Sequence, residues 1–378
     1  MSENIQIDLD IINYQSLFRV SRYSSAKLGR LSKFFIITKS IARLTFFKIK
    51  FVEKDTKHPK IINTYVREDY SHFIDKLSVL GLGRCFLGYQ FGLGHKLSFI
   101  KDVIRQAKLN KLELNEVLFL YFLIKNIDIF LKFIKKESVV ILFAEMQIFE
   151  NFIAQLSKQF GRYTIGLQHG FYLNDYDRQT VNSLNYKDVF VDEMFVWGNN
   201  TKELLLKHNP HLKVTIVGRP SSHFLSSQHF HLNADAPSSY LAIFDADEFS
   251  ATNEKILEVV KGLAKKDGVN FFIKCHPSNN LNDPSLRSSI LKDISHLGIN
   301  PHFVGHRSSL LLELAADRFF CMVLDESPFL KDKGKSGDGS ICGKKLEAED
   351  VSDYLACTSI EAEALIVKAI SKHILTFE

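Results

Sequence analysis

From about residue 138 onward, short apolar runs alternate with stretches of helical period. Ser138-Val-Val-Ile-Leu-Phe143 is a continuous apolar run of strand length, the pattern of a strand covered on both faces. Met146 to Phe160 carries its apolar residues at helical spacing, and Gly161 stops it. Tyr163 to Leu167 reads as the next strand. Strand, helix and strand at this spacing predict parallel pairing with a right-handed crossover. The rhythm continues with predicted strands at Met194–Gly198, Val214–Val217, Tyr240–Phe244, Asn270–Lys274, His302–Val304 and Phe319–Leu324. Predicted helices at Thr201–His208, Thr252–Lys265, Ser285–Leu297 and Ser308–Ala316 lie among them, and a last one runs from Ser359.

The first part of the chain is less regular. Residues 99–136 are helical by period, in two segments broken near Asn110. Gly81-Leu-Gly83 and Gly92-Leu-Gly94-His95 read as loops near a helix start. Neither completes Gly-x-Gly-x-x-Gly, because Phe86 and Leu97 stand at the third position. Residues 1–60 predict a strand or two and a basic amphipathic helix. Ser221 to Ser239, rich in Ser, His and Asn with weak periodicity, marks a domain boundary. Lys331 to Lys345 reads as a Gly/Lys loop.

At 378 residues the chain exceeds one ordinary core, so two domains are expected. They fall at residues 1–220 and 238–350, with residues 351–378 a C-terminal helix packing back on the first. Hydrophobic residues are 46% and charged residues 24%, as in a soluble globular protein. Five cysteines without Cys-x-x-Cys spacing argue for a reducing cytosol, and against a disulfide framework or structural zinc. The opening residues carry acids instead of a signal-peptide pattern. The most apolar stretch, Val117–Phe133, is interrupted by Lys125, Asp128 and Lys132, so no membrane-spanning helix is expected. The net charge of +5 gathers between Arg19 and Lys50, where no acid occurs and Phe34-Phe35 and Phe46-Phe47 are interleaved. Such a segment suits an anionic membrane surface, nucleic-acid phosphates or a solvated face.

Candidate chemistry sits at predicted strand ends, where open α/β sheets bind ligands. Gln168-His169-Gly170 follows one strand, and Gly170 allows a close backbone approach. Glu145 follows the preceding parallel strand, so Glu145 and His169 can converge. With Asp175 and Asp177 they are candidates for a general base. His276-Pro277 follows Lys274-Cys275, at a strand end taken to neighbour that of the serines. Ser308-Ser309 opens a helix whose free N–H groups and partial positive charge suit an anion. His306 and Arg307 add charge there, and Glu313, one turn on, can accept from ribose hydroxyls. Asp245-Ala-Asp247-Glu248 has the look of a metal carboxylate cluster, but its spacing also suits a strand-end turn. No metal and no cofactor are expected. Lys333-Gly334-Lys335-Ser336 is no Walker loop, since Phe329 stands where that motif needs glycine.

The series Gln168-His169-Gly170, Val196-Trp197-Gly198, Val217-Gly218-Arg219-Pro220, Lys274-Cys275-His276-Pro277 and Ser308-Ser309…Glu313 resembles bacterial surface-polysaccharide glycosyltransferases of the GT-B type. It covers about residues 138–325. The relatives are the sialyltransferases and polysialyltransferases, the capsular Kdo transferases and the CDP-glycerol glycerophosphotransferases. His276-Pro277 and Ser308-Ser309 look like the motifs that hold CMP in the first group, and His169-Gly170 like the base element of the last. The acidic Asp/Glu-Asp/Glu-Gly motif of sialyltransferases is broken here, since Phe249 follows Asp247-Glu248.

The resemblance implies an α/β GT-B fold, two Rossmann-like domains facing each other across a crevice. It implies an acceptor-side domain at 1–220 and a nucleotide-sugar-binding domain at 238–350. The expected reaction is inverting transfer from a CMP-activated acidic sugar, sialic acid or Kdo, to a lipid-linked or oligosaccharide acceptor of capsule or lipopolysaccharide. The alternative is alditol-phosphate transfer from CDP-glycerol or CDP-ribitol. A more distant one is a non-catalytic nucleic-acid-binding protein, and nucleic acid is not expected as a partner. Lys274, His276, Pro277, Ser308, Ser309 and Glu313 are the expected nucleotide-binding residues. Gln168, Gly170 and Asp175 are expected at the acceptor, with His169, Glu145 and His276 catalytic. The expected location is the cytoplasm, docked on the inner membrane face through residues 19–50.

Overall fold

The computed structural model describes residues 8–19, 22, 38, 47–53, 60–63, 74–75, 77–78, 82–91, 100–137, 139–143, 146–173, 186–187, 189–219, 237–276, 286, 289–291, 297, 300–316, 319–324, 327–329, 343–346, 351–352, 354–355 and 359–377. The chain divides into two compact units. Unit 1 comprises Met1–Val196, Thr201–Val217 and Glu363–Glu378; unit 2 comprises Trp197–Asn200 and Gly218–Ala362. Both are α/β with largely parallel sheets.

The strands of unit 1 are β1 (Phe47–Glu53), β2 (Lys60–Asn63), β3 (Gly83–Phe91), β4 (Val139–Leu142), β5 (Tyr163–Leu167), β6 (Glu193–Val196) and β7 (Lys213–Ile216). They form one sheet in the order β1-β3-β2-β4-β5-β6-β7. All pairings are parallel except β1 with β3 at the edge. The period of two, with both faces covered, explains why the central strands are mostly apolar and β4 entirely so. Val140 and Leu142 of β4, with Met194 and Val196 of β6, enter one core cluster. Val139 and Ile141, with Ile165, Leu167 and Phe195, enter the other.

The helices are α1 (Tyr14–Leu17), α2 (Ile100–Leu109), α3 (Leu114–Lys125), α4 (Ile127–Lys136), α5 (Ile148–Gln159) and α6 (Asn199–His208). α5 ends at Gly161, whose φ of 62° lies in the left-handed region that glycine enters freely. The segment predicted as two helices across 99–136 is three. The second break is at buried Asn126, whose Oδ1 accepts from Ile49 N at 2.9 Å while Nδ2 donates to Phe122 O at 2.7 Å. Gly83, read as part of a loop, opens β3 instead. Most of the basic 19–50 segment lies outside the described residues, and its last four residues belong to β1.

The last helix, α9 (Ser359–Phe377), sends Ile366 and Ile370 into the second cluster of unit 1. Burying each contributes about 1.5–3 kcal/mol. His373 of α9 reaches the amino edge of the sheet. Its Nε2 lies 2.7 Å from Glu193 Oε2, and its ring stacks on Tyr163 at 4.6 Å. Glu193 also accepts from Tyr163 OH and Lys213 Nζ, each at 2.9 Å, and from Thr215 Oγ1 at 2.5 Å. Burial pushes this carboxyl up, but the hydrogen bonds from Thr215, Lys213 and Tyr163 outweigh it and hold it below the usual range.

Unit 2 contains β8 (Ser239–Ile243), β9 (Asn270–Lys274), β10 (Pro301–Gly305), β11 (Cys321–Leu324) and β12 (Gly343–Lys345), with helices α7 (Ser250–Asp267) and α8 (Ser309–Ala316). The sheet order is β12-β11-β10-β8-β9. β8 to β11 are parallel, and β12 is antiparallel to β11 at the edge. Gly343–Lys345 is thus a strand where a loop was expected. Tyr240, Ala242 and Phe244 pack with Ile256, Val260 and Ala264 of α7, and with Ile273, Val304 and Leu324. The predicted helix at 285–297 falls mostly outside the described residues. Among the described residues, no helix is long and apolar enough to cross a membrane.

Candidate functional site

In unit 2 the chain lays β9 on one side of β8 and β10 on the other. A parallel sheet that reverses its winding this way opens a crevice at the carboxyl ends of the two strands flanking the reversal. Here those strands are β8 and β10. Asp245 follows β8, and Gly305-His306-Arg307-Ser308-Ser309 follows β10.

Both loops are clamped. Asn253 of α7 accepts from Asp245 N at 2.8 Å and donates to Asp245 O at 3.0 Å. The Ser327 hydroxyl donates to the His306 carbonyl. Between the loops, His306 Nδ1 lies 3.1 Å from Asp245 Oδ2, with both side chains buried. An ionised carboxylate can only accept, so in that state the proton of this contact belongs to Nδ1. The Arg307 guanidinium lies over the Phe249 ring at 4.4 Å, a further link between the same two loops.

Ser308 O accepts from Leu311 N at 3.1 Å, which makes Ser308 the cap of α8. The first N–H groups of α8 are those that suit an anion. Gly305 lets α8 approach. A Cβ there would lie 2.7 Å from Leu311 Cδ1 and 3.0 Å from Ile243 O. Glu313 is buried on α8 and ion-paired with Arg219, which lies 4.9 Å over the Trp197 ring. A ribose role for Glu313 therefore has to share its carboxylate with Arg219.

Lys274 and His276 are half-buried at the end of β9. The expected neighbour relation with the serines is corrected by the sheet order: β8 stands between β9 and β10. Two inter-strand spacings separate them, about 10 Å at the strand axes. Pro277 lies outside the described residues.

In unit 1, Gln168 spends its side chain on the loop itself. Its Nε2 donates to Gly170 O at 2.8 Å and to Thr201 Oγ1 at 3.2 Å, and only 3% of the residue is exposed. Gln168 is expected at the acceptor, and this amide is buried with its nitrogen already hydrogen-bonded within unit 1. A Cβ on Gly170 would meet nothing within 4 Å, so no close backbone approach requires this glycine. His169 is half-buried, its ring 6.4 Å from that of Phe143 and 6.1 Å from that of Tyr172. It follows β5, and Phe143 follows the paired strand β4. Glu145, Asp175 and Asp177 lie outside the described residues.

Sequence reasoning gave no role to Arg219 or to the Asp245–His306 pair. Arg219 stood in the motif series and could have been found there; the pair depends on strand order. Among the described residues, no group of three or more His, Cys, Asp or Glu side chains could hold a metal ion.

No protein-family model and no curated protein matches the chain. Among solved structures it is similar to the GtfA/B complex, with 12% identity, a TM-score of 0.37, and coverage of 62% of this chain and 57% of that one. It is also similar to a mutant of S. aureus TarM in complex with fondaparinux, alpha-GlcNAc-glycerol and UDP. There the identity is 10%, the TM-score 0.34, and the coverage 67% of this chain and 59% of that one. The chain thus spans less than two thirds of the length of either.

Proposed function

We infer that this chain is a GT-B glycosyltransferase that transfers an acidic sugar from its CMP-activated form to a polysaccharide or lipid-linked acceptor. One observation carries the reading. The Ser308-Ser309 start of α8, with His306 and Arg307 beside it, stands at the reversal point of a parallel sheet. That is where such sheets bind nucleotides, and a helix N-terminus is what a phosphate needs. The motif series and its resemblance to CMP-using transferases supply the choice of nucleotide.

The proposed reaction is a single inverting displacement. His169 or Glu145 is the proposed base for the proton of the acceptor hydroxyl. The new bond forms at the anomeric carbon as the bond to the phosphate oxygen breaks, and the electron pair leaves with CMP. Ser308, Ser309 and the α8 N–H groups hold that phosphate, and Lys274 and His276, at the end of β9, contact another part of the nucleotide. Glu313 holds ribose with the lone pairs that Arg219 leaves it. The basic 19–50 segment docks the enzyme on the inner face of the membrane.

A thermal-shift panel of CMP, CDP, UDP, GDP and dTDP tests this. A nucleotide at one hundred times its dissociation constant adds about 2.7 kcal/mol of stability. CMP is expected to raise the melting temperature, and Ser308→Ala/Ser309→Ala to abolish the rise. A response to UDP alone overturns the donor. Donor screening then separates sugar transfer from alditol-phosphate transfer, because only the latter leaves a phosphodiester in the product.

A further inference from the structure

We propose that Asp245 and His306 form a dyad that grips the nucleotide phosphate in unit 2, His306 touching it through Nε2 and Asp245 serving as the positioning residue. This rests on the reading of unit 2 as the nucleotide-binding unit and names a group that the motif series does not.

Three observations carry it. The two residues sit on the two loops that border the reversal crevice, one after β8 and one after β10. Their main chains are locked by other buried side chains, Asn253 for Asp245 and Ser327 for His306. Ser308 and Ser309 follow His306 by two and three residues, so the ring shares a loop with the helix start that suits an anion.

The energetics point the same way. Burying a His–Asp pair costs desolvation of both groups, and well-packed apolar residues of similar volume are often at least as stabilising. A polar pair held this rigidly at a strand-end crevice is better explained by chemistry. The carboxylate orients the imidazole through Nδ1, so that Nε2 is the nitrogen turned to a bound phosphate. As the sugar–phosphate bond breaks, its electron pair stays on the phosphate oxygen, and the Nε2–H hydrogen bond offsets the charge left there. His306 ends the step protonated, as it began. The acceptor's proton goes to the proposed base, not to His306. The charged and titratable groups on the surrounding loop ends include Asp245, Asp247 and Glu248 after β8, Lys274 at the end of β9 with Cys275 and His276 after it, and Arg307 next to His306.

Calorimetric CMP titrations between pH 5.5 and 8.5, using the full chain and its Asp245→Asn and His306→Gln variants, test the dyad. Unliganded melting temperatures are measured alongside. Both variants should bind CMP about tenfold more weakly than the wild type, the factor expected for one hydrogen bond to a charged group, and the pH profile of binding should differ between the wild type and His306→Gln. Loss of affinity only in proportion to a lowered melting temperature would make the pair structural and overturn the proposal. The conservative Asp245→Asn change, which keeps size and an acceptor, guards against misfolding. If it folds and binds CMP with wild-type affinity and pH profile, the proposal is also overturned. If the wild type binds no nucleotide at all, the functional reading falls and takes the dyad with it. Binding that is unchanged in both variants removes the dyad alone.

Discussion

A methyl group at position 305 would meet Leu311 and the Ile243 carbonyl inside ordinary contact distance. Gly305→Ala is therefore expected to cost about 1–3 kcal/mol, the usual range for overpacking. Urea unfolding measures it, and a change below 0.5 kcal/mol, about the scatter of neutral surface substitutions, would show that α8 simply shifts. At this scale the sequence announced what stands next to a strand end in the chain itself, such as His169 after β5 or Ser308 before α8. It was silent on partners brought together by strand order. The approach of His306 to Asp245, the ion pair of Arg219 with Glu313 and the separation of His276 from the serines all depend on which side of β8 each later strand takes. Periodicity does not encode that choice.

Among the elements, α9 meets β6 where His373 approaches Glu193. Glu193 has its folded-state acidity held below the ordinary carboxylate range. Its stabilising share is thus complete above the unfolded carboxylate's own pKa, about 4.3, and is lost as pH falls through the lower folded value. Acid titration of the melting temperature is expected to show a weaker fall below that pH in Glu193→Gln than in the wild type; identical slopes would remove Glu193 as a contributor. Ile366→Ala and Ile370→Ala should each cost about 2–5 kcal/mol if the cavity does not collapse, as read by denaturant midpoint. The central parallel strands were legible because both faces are covered and most of their residues are apolar. The break at Asn126 was not, because a strand amide at Ile49 makes it worthwhile for that side chain to leave helical register. β3 and β12 were missed for a related reason: glycine-bearing segments become strands only when a neighbour completes their ladder.

For the whole molecule, each unit has clusters of its own. Scanning calorimetry is expected to resolve more than one transition, and CMP is expected to raise only the one that belongs to unit 2; a uniform shift of a single transition would mean that the units melt together. Unit 1 is also a discontinuous body, since residues 363–378 belong to it while unit 2 intervenes in the chain. Those residues leave the ribosome after everything they pack on. Unit 2 can thus mature while the older sheet still waits with an apolar face uncovered, so chaperone dependence in a nascent chain should fall sharply only once Ile366 and Ile370 have emerged.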